Sequence, residues 1–304
     1  MPNPSLPQDL IGALDDLNGL HPGFRPAHSK GVMLTGTFTP SAAARSLTRA
    51  PHAQNASTPV TVRFSDGAGF PAVADNDPNN AGPRGLAIRF HLGEHVHTDI
   101  IGHSVDGFPV RTPEEFLEFL RAAHAGAPIQ AFLGAHPAAL AFVQTPKPIP
   151  TSFARESYFT VTAFKFTTED GSTRFGRFRV RPEGGNDFLD EAAAAAKPAN
   201  FLMDEIAERV SKGPVKLNIV VQLAASGDTV DDATAHWPED HPQADFGTLA
   251  LTAVAPDDDE HRKIIFDPIP RVDGIDSSGD PLLEARAAVY LMSGRRRRAA
   301  AATA

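Results

Sequence analysis

Apolar and polar residues alternate with a period of two along several stretches of the chain, as they do in strands that bury one face. These stretches span residues 59–65, 85–91, 158–166, 173–180, 216–223 and 246–254. Asp170-Gly171, a dipeptide typical of hairpin turns, separates the third stretch from the fourth. Six or more strands at hairpin-like spacing predict an antiparallel sheet that closes into a barrel.

Helical signals interrupt these strands. Thr112-Pro-Glu-Glu115 combines a capping box with a proline at the first helical position, and Gly126 marks the end of that helix. Asn200 is expected to cap a second helix that runs to about Lys212. A third helix is predicted from Asp280 onward. Strands and helices together indicate an α+β fold.

Composition and charge narrow the class of protein. The chain has 304 residues, of which 41% are hydrophobic and 21% charged, as in a globular protein. A net charge of −9 argues against a nucleic-acid partner. No segment has the composition of a linker or a repeat. We therefore expect one domain over residues 1–304, with an N-terminal arm at 1–20 and a short tail at 299–304.

The chain contains no cysteine, which excludes disulfides, thiolate metal ligands and cysteine nucleophiles. The N-terminus lacks the basic and apolar regions of a signal peptide. No apolar run approaches the roughly 20 residues that span a bilayer. We expect a cytoplasmic protein that has no contact with a membrane.

Two short motifs suggest metal sites. His91-Leu-Gly-Glu94-His95 matches an inverted zinc-protease pattern, but that pattern requires a helix and this stretch follows a strand. Asp75-Asn-Asp77-Pro-Asn79 is similar to the start of a calcium loop, yet the glycine and glutamate that such a loop needs at its sixth and twelfth positions are missing. Neither motif carries a functional prediction.

Arg286 and Tyr290 lie four residues apart in the predicted last helix, so their side chains share one face. A permanent cation beside a phenol oxygen favours the phenolate. A tyrosinate of this kind is one way in which proteins bind haem iron. The spacing also occurs by chance, so the question is whether the chain supplies the other half of a haem pocket.

His28 and Ser65 could supply that other half. A histidine on the peroxide side of haem must be neutral, so that it can take a proton from a hydroperoxide and return it to the leaving oxygen. Its second ring nitrogen needs an anchor, and a serine hydroxyl can provide one. Haem also carries two propionates, for which arginines are suitable partners.

At this point the chain resembles the haem catalases, and most of all the short catalase-related peroxidases. The motifs that follow the catalase order are Arg25-Pro-Ala-His28-Ser-Lys-Gly31, Val62-Arg-Phe-Ser65, Pro83-Arg-Gly-Leu-Ala-Ile-Arg-Phe90, Asp99-Ile-Ile-Gly102 and the Arg286–Tyr290 pair. Trp237-Pro-Glu239 followed by Phe246-Gly-Thr-Leu249 also looks like the catalase barrel. The resemblance runs from about residue 20 to 298.

The resemblance implies a catalase-like barrel of about eight strands with additional helices, and haem b buried between the barrel and the C-terminal helix. In this interpretation His28 is the distal acid–base group and Ser65 is its hydrogen-bond partner. Tyr290 is the iron ligand, and Arg286 keeps it deprotonated.

Five more residues match haem-contacting positions of the family. Arg25, Arg63 and Arg297 match arginines that bind the propionates. Phe108 and Phe116 match aromatic residues that line the haem and its access route.

The chain departs from the catalase pattern in two ways. Catalases have an asparagine after the Asp-x-x-Gly motif that helps to orient peroxide, whereas this chain has His103 there. Catalases also continue well beyond the tyrosine helix, which suggests a more open haem here. We count His103 among the catalytic residues and expect the chemistry of this protein to differ from that of catalases at this residue.

The leading hypothesis is therefore a haem peroxidase that reduces hydrogen peroxide or organic hydroperoxides, oxidises an organic donor and has weak or no catalase activity. One alternative is a true catalase in which His103 replaces the amide as a hydrogen-bond donor. Others are a hydroperoxide isomerase of the allene-oxide-synthase kind and a non-catalytic carrier of haem or lipophiles. We expect a monomer or a homodimer. The sequence does not identify the donor or the preferred hydroperoxide.

Overall fold

Ten strands form one antiparallel sheet in the computed structural model, which describes residues 5–77, 82–256, 261 and 263–301. The strands are β1 (Gly31–Pro40), β2 (Thr58–Ser65), β3 (Gly85–Gly93), β4 (Val96–His103), β5 (Tyr158–Phe159), β6 (Phe164–Thr167), β7 (Thr173–Pro182), β8 (Val215–Leu223), β9 (Gln243–Val254) and β10 (Ile275–Ser277). Eight of them close a barrel in the order β1-β2-β3-β4-β5-β7-β8-β9, and β9 pairs with β1 again. The predicted barrel is confirmed.

Helices connect the strands and cover the outside of the barrel. They are α1 (Leu6–Asn18), α2 (Ala42–Leu47), α3 (Pro51–Gln54), α4 (Pro113–Ala125), α5 (Pro128–Ala135), α6 (Pro137–Gln144), α7 (Glu191–Ala195), α8 (Phe201–Lys212) and α9 (Pro281–Ala301), with a 3₁₀ turn at Phe153–Arg155. None of the helices in the described part of the chain is long and apolar enough to cross a membrane.

Alternate residues of the barrel strands form the core. On β2, Val60, Val62 and Phe64 are buried in the barrel interior. The residues between them face outward, because successive side chains of a strand point to opposite sides. The outward-facing residues are therefore available for a site between the barrel and its helices.

Two sequence predictions about the strands need correction. The stretch 158–166 is two short strands, β5 and β6, because the Thr160 hydroxyl accepts the amide hydrogen of Phe178 at 2.9 Å in place of a regular ladder partner. Strands β1, β4 and β10 were not predicted, since their alternation is weak in the sequence.

The predicted N-terminal caps of α4 and α8 have different outcomes. The capping box at Thr112 is present, with Glu115 as its second member. Asn200 occupies the N-cap position of α8, and the helix ends at Lys212 as predicted, but the Asn200 side chain makes no capping hydrogen bond. The Asp75 carboxylate accepts the Leu202 amide hydrogen at 2.7 Å instead. A distant carboxylate therefore caps α8, and the local sequence could not reveal it.

The N-terminal arm contains a helix that the sequence analysis did not predict. Helix α1 packs against α4 and α9 through a small apolar cluster that includes Leu10, Leu117 and Val289. Burial of three such side chains contributes several kcal/mol, at roughly 1.5–3 kcal/mol each. The arm therefore anchors the last helix against the molecule.

The zinc-protease pattern does not form a metal site. His91 lies on β3, while Glu94 and His95 occupy the turn of the β3–β4 hairpin, where both are almost fully exposed. The described residues contain no group of three or more potential metal ligands of the histidine and carboxylate kind. Of the calcium-like motif, Asp75 is engaged with α8 and Lys30, and Asn79 lies outside the described residues.

Candidate active site

The outer face of strands β2, β3 and β4 forms one wall of a cleft. Its residues align in two rows across the three strands, which are Ser65–Gly85–His103 and Arg63–Ala87–Ile101. The central strand contributes only a glycine and an alanine to these rows. The wall is consequently a shallow recess flanked by polar side chains.

Helix α9 forms the opposite wall. Arg286, Tyr290, Ser293 and Arg297 recur every three or four residues, so they share one helical face and line the cleft. Asp280 caps the helix by accepting the Leu282 amide hydrogen at 2.9 Å. The cleft encloses about 850 Å³ of space, part of which is open to solvent.

His28 reaches the recess from a loop that precedes β1. Its φ of 54° is the left-handed conformation that non-glycine residues rarely adopt. The loop is held there because Arg63 donates hydrogen bonds to the carbonyls of His28, at 2.8 Å, and Ser29, at 3.1 Å. An unfavourable backbone conformation is maintained where the imidazole meets the cleft.

Backbone chemistry sets the tautomer of His28. Its Nδ1 lies 3.0 Å from the carbonyl oxygen of Asp66 and 3.4 Å from the Ser65 hydroxyl. Because a carbonyl only accepts hydrogen bonds, Nδ1 carries the proton and Nε2 has the free lone pair. Burial, reinforced by the positive charge of Arg63, lowers the pKa of His28 from 6.5 to about 4. At neutral pH the ring is an uncharged proton acceptor.

Gly85 is required by the position of the His28 ring. A Cβ atom at this residue would lie 2.6 Å from the Ser65 hydroxyl oxygen and 2.8 Å from Nδ1 of His28. No real Cβ makes contacts this short, so the imidazole occupies the space that a side chain would fill. A glycine inside a strand often marks such a close approach.

His103 is a second neutral histidine on the same wall, and it is partly buried. The Val105 amide donates to its Nδ1 at 3.3 Å, so the ring proton resides on Nε2. That Nε2 is buried and has no hydrogen-bond partner among the described residues. Burial, together with the positive charge of Arg286, lowers the pKa of His103 to about 3. His103 is therefore an N–H donor directed away from its own backbone anchor.

On the helix wall, Arg286 donates a hydrogen bond to the Tyr290 hydroxyl oxygen at 3.3 Å. The guanidinium carbon lies 5.7 Å from the centre of the phenol ring. A donor with a permanent charge stabilises the deprotonated oxygen more than the neutral one. The contact that the four-residue spacing predicts is present.

Three arginines approach one another at the cleft. Burial and the like charges of Arg63 and Arg297 lower the pKa of Arg25 well below its ordinary value. Burial also lowers the pKa of Arg63 to about 10 and that of Arg297 to about 10. Neither Arg25 nor Arg63 forms an ion pair with a carboxylate of the described residues. Mutually repelling cations, of which Arg63 and Arg297 are buried, indicate a site for anionic groups.

Phe108 and Phe116 are not among the residues that line the cleft. Phe108 is 6.4 Å from His103 and 5.1 Å from Phe116 between ring centres. Both pack into the aromatic cluster of α4–α6. Ile265 and Phe266 line the cleft instead, from a segment whose sequence gave no signal of that position.

Sequence reasoning also missed Asp66. Its carboxyl is buried, and burial together with the neighbouring Asp75 carboxylate raises its pKa to about 8. The Asp66 side chain is thus neutral at pH 7 and does not favour the protonated form of His28. The backbone carbonyl of Asp66 orients the His28 ring. A role that depends on a backbone carbonyl cannot be predicted from the residue type.

Comparisons with known proteins show the family to which the chain is related. The family model described as Catalase matches residues 22–303. A catalase-related peroxidase of Mycolicibacterium paratuberculosis is 34% identical over 297 residues, which cover 94% of this chain and 93% of the relative. A catalase-related peroxidase of Synechococcus elongatus is 34% identical over 299 residues, which cover 94% of this chain and 87% of the relative.

A solved structure shows the same architecture. The crystal structure of a fungal catalase aligns with a TM-score of 0.80 at 20% sequence identity, over 95% of this chain and 62% of the fungal chain. The likeness supports the fold of the barrel and its helices.

Proposed function

The chain belongs to the catalase family, and we propose that it is a haem-dependent peroxidase that reduces hydrogen peroxide or organic hydroperoxides with an organic electron donor. The observation that carries the proposal is the opposition of the two walls. A neutral imidazole with a free Nε2 lies on the barrel wall, and an arginine-bonded tyrosine lies on α9. The two relatives named catalase-related peroxidase support the same activity.

The residues of the cleft fit haem b. The shallow recess over Gly85 and Ala87 suits a flat macrocycle, and Tyr290 on the opposite wall has the oxygen that can bind its iron. The repelling guanidiniums of Arg25, Arg63 and Arg297 suit two propionates, which would offset their charges. When bound, the haem would supply a redox-active iron that takes up oxidising equivalents from the peroxide and passes them to the donor.

The chain's own residues move the proton. Nε2 of His28 can accept the proton of the hydroperoxide O–H group and then donate it to the oxygen that leaves. Its low pKa keeps Nε2 unprotonated before the peroxide arrives. Asp66 and Ser65 fix the ring so that only Nε2 faces the cleft. Arg286 donates a hydrogen bond to the Tyr290 oxygen, which would bind the iron.

His103 favours peroxidase over catalase activity in this account. Disproportionation needs a second hydrogen peroxide that is held as a reductant, and the family's asparagine amide has both a donor and an acceptor. His103 presents only an N–H group, because its other nitrogen is occupied by Val105. His103 can donate a hydrogen bond to the peroxide but cannot accept one from it, so we propose weak catalase activity.

The decisive experiment compares two products. Haem-loaded protein is mixed with an alkyl hydroperoxide and a phenolic dye, and separately with hydrogen peroxide alone. The proposal predicts fast dye oxidation and slow oxygen evolution. Fast oxygen evolution without dye oxidation would identify a true catalase. Conversion of a fatty-acid hydroperoxide without any donor would identify an isomerase, and an inert complex would identify a carrier.

A further inference from the structure

A second cavity, the outer pocket, adjoins the cleft on the side of the N-terminal arm. It is formed by α1, the loop at 20–26 and the C-terminal half of α9, and it encloses about 690 Å³. Arg25, Pro26, Ser293 and Arg297 line both cavities. These four residues therefore lie between the outer pocket and the cleft.

Large apolar side chains at the outer pocket are exposed to solvent and are not part of the hydrophobic core. Leu20 is 62% exposed and Phe24 is 50% exposed, and both lie on its rim. Exposed large apolar residues that border a concavity are typical of binding sites. Phe24 directly precedes Arg25, so the aromatic rim and the shared arginine belong to one loop.

The charges of the pocket are predominantly positive. Among the described residues that line it, Arg25 and Arg296 are cations, and the carboxylate of Asp15 pairs with Arg296 at 2.7 Å. Burial and like charges lower the pKa of Arg25, so a nearby anion is favourable there. Two propionates would offset two of the three positive charges of Arg25, Arg63 and Arg297, so one positive charge would remain. An aromatic face beside that charge fits an aromatic molecule that carries a carboxylate.

The geometry points to the outer pocket as the binding site of the organic electron donor, and to a phenolic carboxylate as the class of that donor. This inference rests on the proposed function, because it assigns the reductant of the same reaction. The donor would lie against the arginines that separate it from the haem cleft. Hydroperoxide and donor would then occupy different cavities and would not compete.

The reaction balances with two donor molecules. Each phenol loses one electron and its phenolic proton to become a phenoxyl radical. The two electrons break the O–O bond of the hydroperoxide. One oxygen leaves as an alcohol and the other as water, and the two protons from the donors complete these products.

Two substitutions on the rim test the assignment without touching the cleft. Leu20→Glu places a negative charge in the pocket, and Phe24→Ala removes the aromatic face. Leu140→Glu on α6 and Phe188→Ala are matched controls, because those side chains are similarly exposed, at 38% and 41%, and border neither cavity. None of the four residues belongs to the proposed haem site.

Binding is measured first, independently of turnover. Fluorine NMR follows para-fluorobenzoate, an aromatic carboxylate that cannot donate electrons, and its neutral amide, in the haem-loaded protein. We expect Leu20→Glu to weaken binding of the carboxylate by about tenfold and that of the amide far less. Phe24→Ala should weaken both by roughly threefold to tenfold.

Turnover is measured second. The KM for a phenolic carboxylate should rise in both rim variants, while the rate of reaction with hydroperoxide stays unchanged. Unaltered binding and KM in the rim variants, or equal changes in the control variants, would overturn the donor site. Loss of donor oxidation in the unsubstituted protein would instead refute the peroxidase function, so the two failures are distinguishable.

Discussion

The two walls of the cleft position their functional groups by different means. On the barrel wall, His28 and His103 are neutral rings whose tautomers are set by backbone groups, the Asp66 carbonyl and the Val105 amide. On the helix wall, Arg286 and Tyr290 are side chains that contact each other because they are one helical turn apart. The barrel wall is built from long-range contacts and the helix wall from local spacing.

This difference matches what each wall has to do. Proton transfer depends on tenths of an ångström and on one defined tautomer, and a hydrogen-bonded sheet provides that rigidity. The proposed binding of iron by Tyr290 depends mainly on charge, which an arginine one turn away on the same helix can supply. Substitutions on the two walls should therefore change different quantities.

The largest effect on rate is expected from His28→Ala. Removal of the proton acceptor should slow the reaction with hydroperoxide by about 10²- to 10⁴-fold while haem absorbance is retained. Stopped-flow absorbance measures the rate. His95→Ala is the control, because His95 also has a positive φ but lies in an exposed turn. A rate within tenfold of the unsubstituted protein would remove His28 from the mechanism.

Gly85→Ala tests whether the barrel wall needs its glycine. The added Cβ would meet Ser65 and the His28 ring at 2.6 and 2.8 Å, and the ring must shift. A displacement of this kind should lower the same rate by roughly tenfold to a hundredfold. Gly12→Ala on α1, where a Cβ meets nothing within 4 Å, should leave the rate unchanged. Equal rates in the two variants would show that the close approach has no role.

His103→Asn restores the amide that the family has at this position. We expect the ratio of oxygen evolution to dye oxidation to rise by about tenfold, since one added hydrogen bond to peroxide is worth roughly that factor. His103→Phe, which has no donor, should lower oxygen evolution. An oxygen electrode and a dye assay on the same samples give the ratio. An unchanged ratio in His103→Asn would show that His103 does not cause the difference between peroxidase and catalase activity.

The comparison of the walls also explains what the sequence could predict. The Arg286–Tyr290 contact follows from a spacing of four, and alternation predicted β2 and β3 together with their outward-facing residues. The register that aligns Ser65, Gly85 and His103 depends on pairing between distant strands, so no local pattern encodes it. Asp66 and Val105 act through backbone atoms, which their residue types do not reveal. The sequence predicts Asn200 at the N-cap of α8, but it cannot predict the side-chain acceptor, which is a carboxylate 127 residues away from Leu202.

A smaller effect concerns stability at acid pH. His52 is enclosed by Phe38, Phe90 and Phe246, and burial lowers its pKa from 6.5 to about 3. The unfolded chain therefore binds a proton as the pH falls below about 6.5, while the folded chain does not. The free energy of unfolding is therefore not reduced by His52 above about pH 6.5, and it decreases progressively as the pH falls from about 6.5 to about 3.

His52→Leu should flatten this dependence. One proton fewer is taken up on unfolding, so the slope of the unfolding free energy should decrease by up to about 1.4 kcal/mol per pH unit between roughly pH 4 and 6. Urea denaturation at several pH values measures the slope. Because His52 lies outside the cleft, its substitution should leave the peroxide reaction unchanged. An unaltered slope would show that His52 is protonated in the folded protein.

The central claim is that Tyr290 binds the iron of a haem in this cleft, and haem titration followed by absorption spectroscopy tests it most directly. The unsubstituted protein should bind haem stoichiometrically and show the Soret band of high-spin ferric iron, and Tyr290→Phe should lose that band and weaken binding by more than roughly a hundredfold. Tyr158→Phe is the matched control, because it removes the hydroxyl of the chain's second tyrosine, which is buried and donates to the Phe153 carbonyl. The same spectrum and affinity in Tyr290→Phe as in the unsubstituted protein would contradict the account.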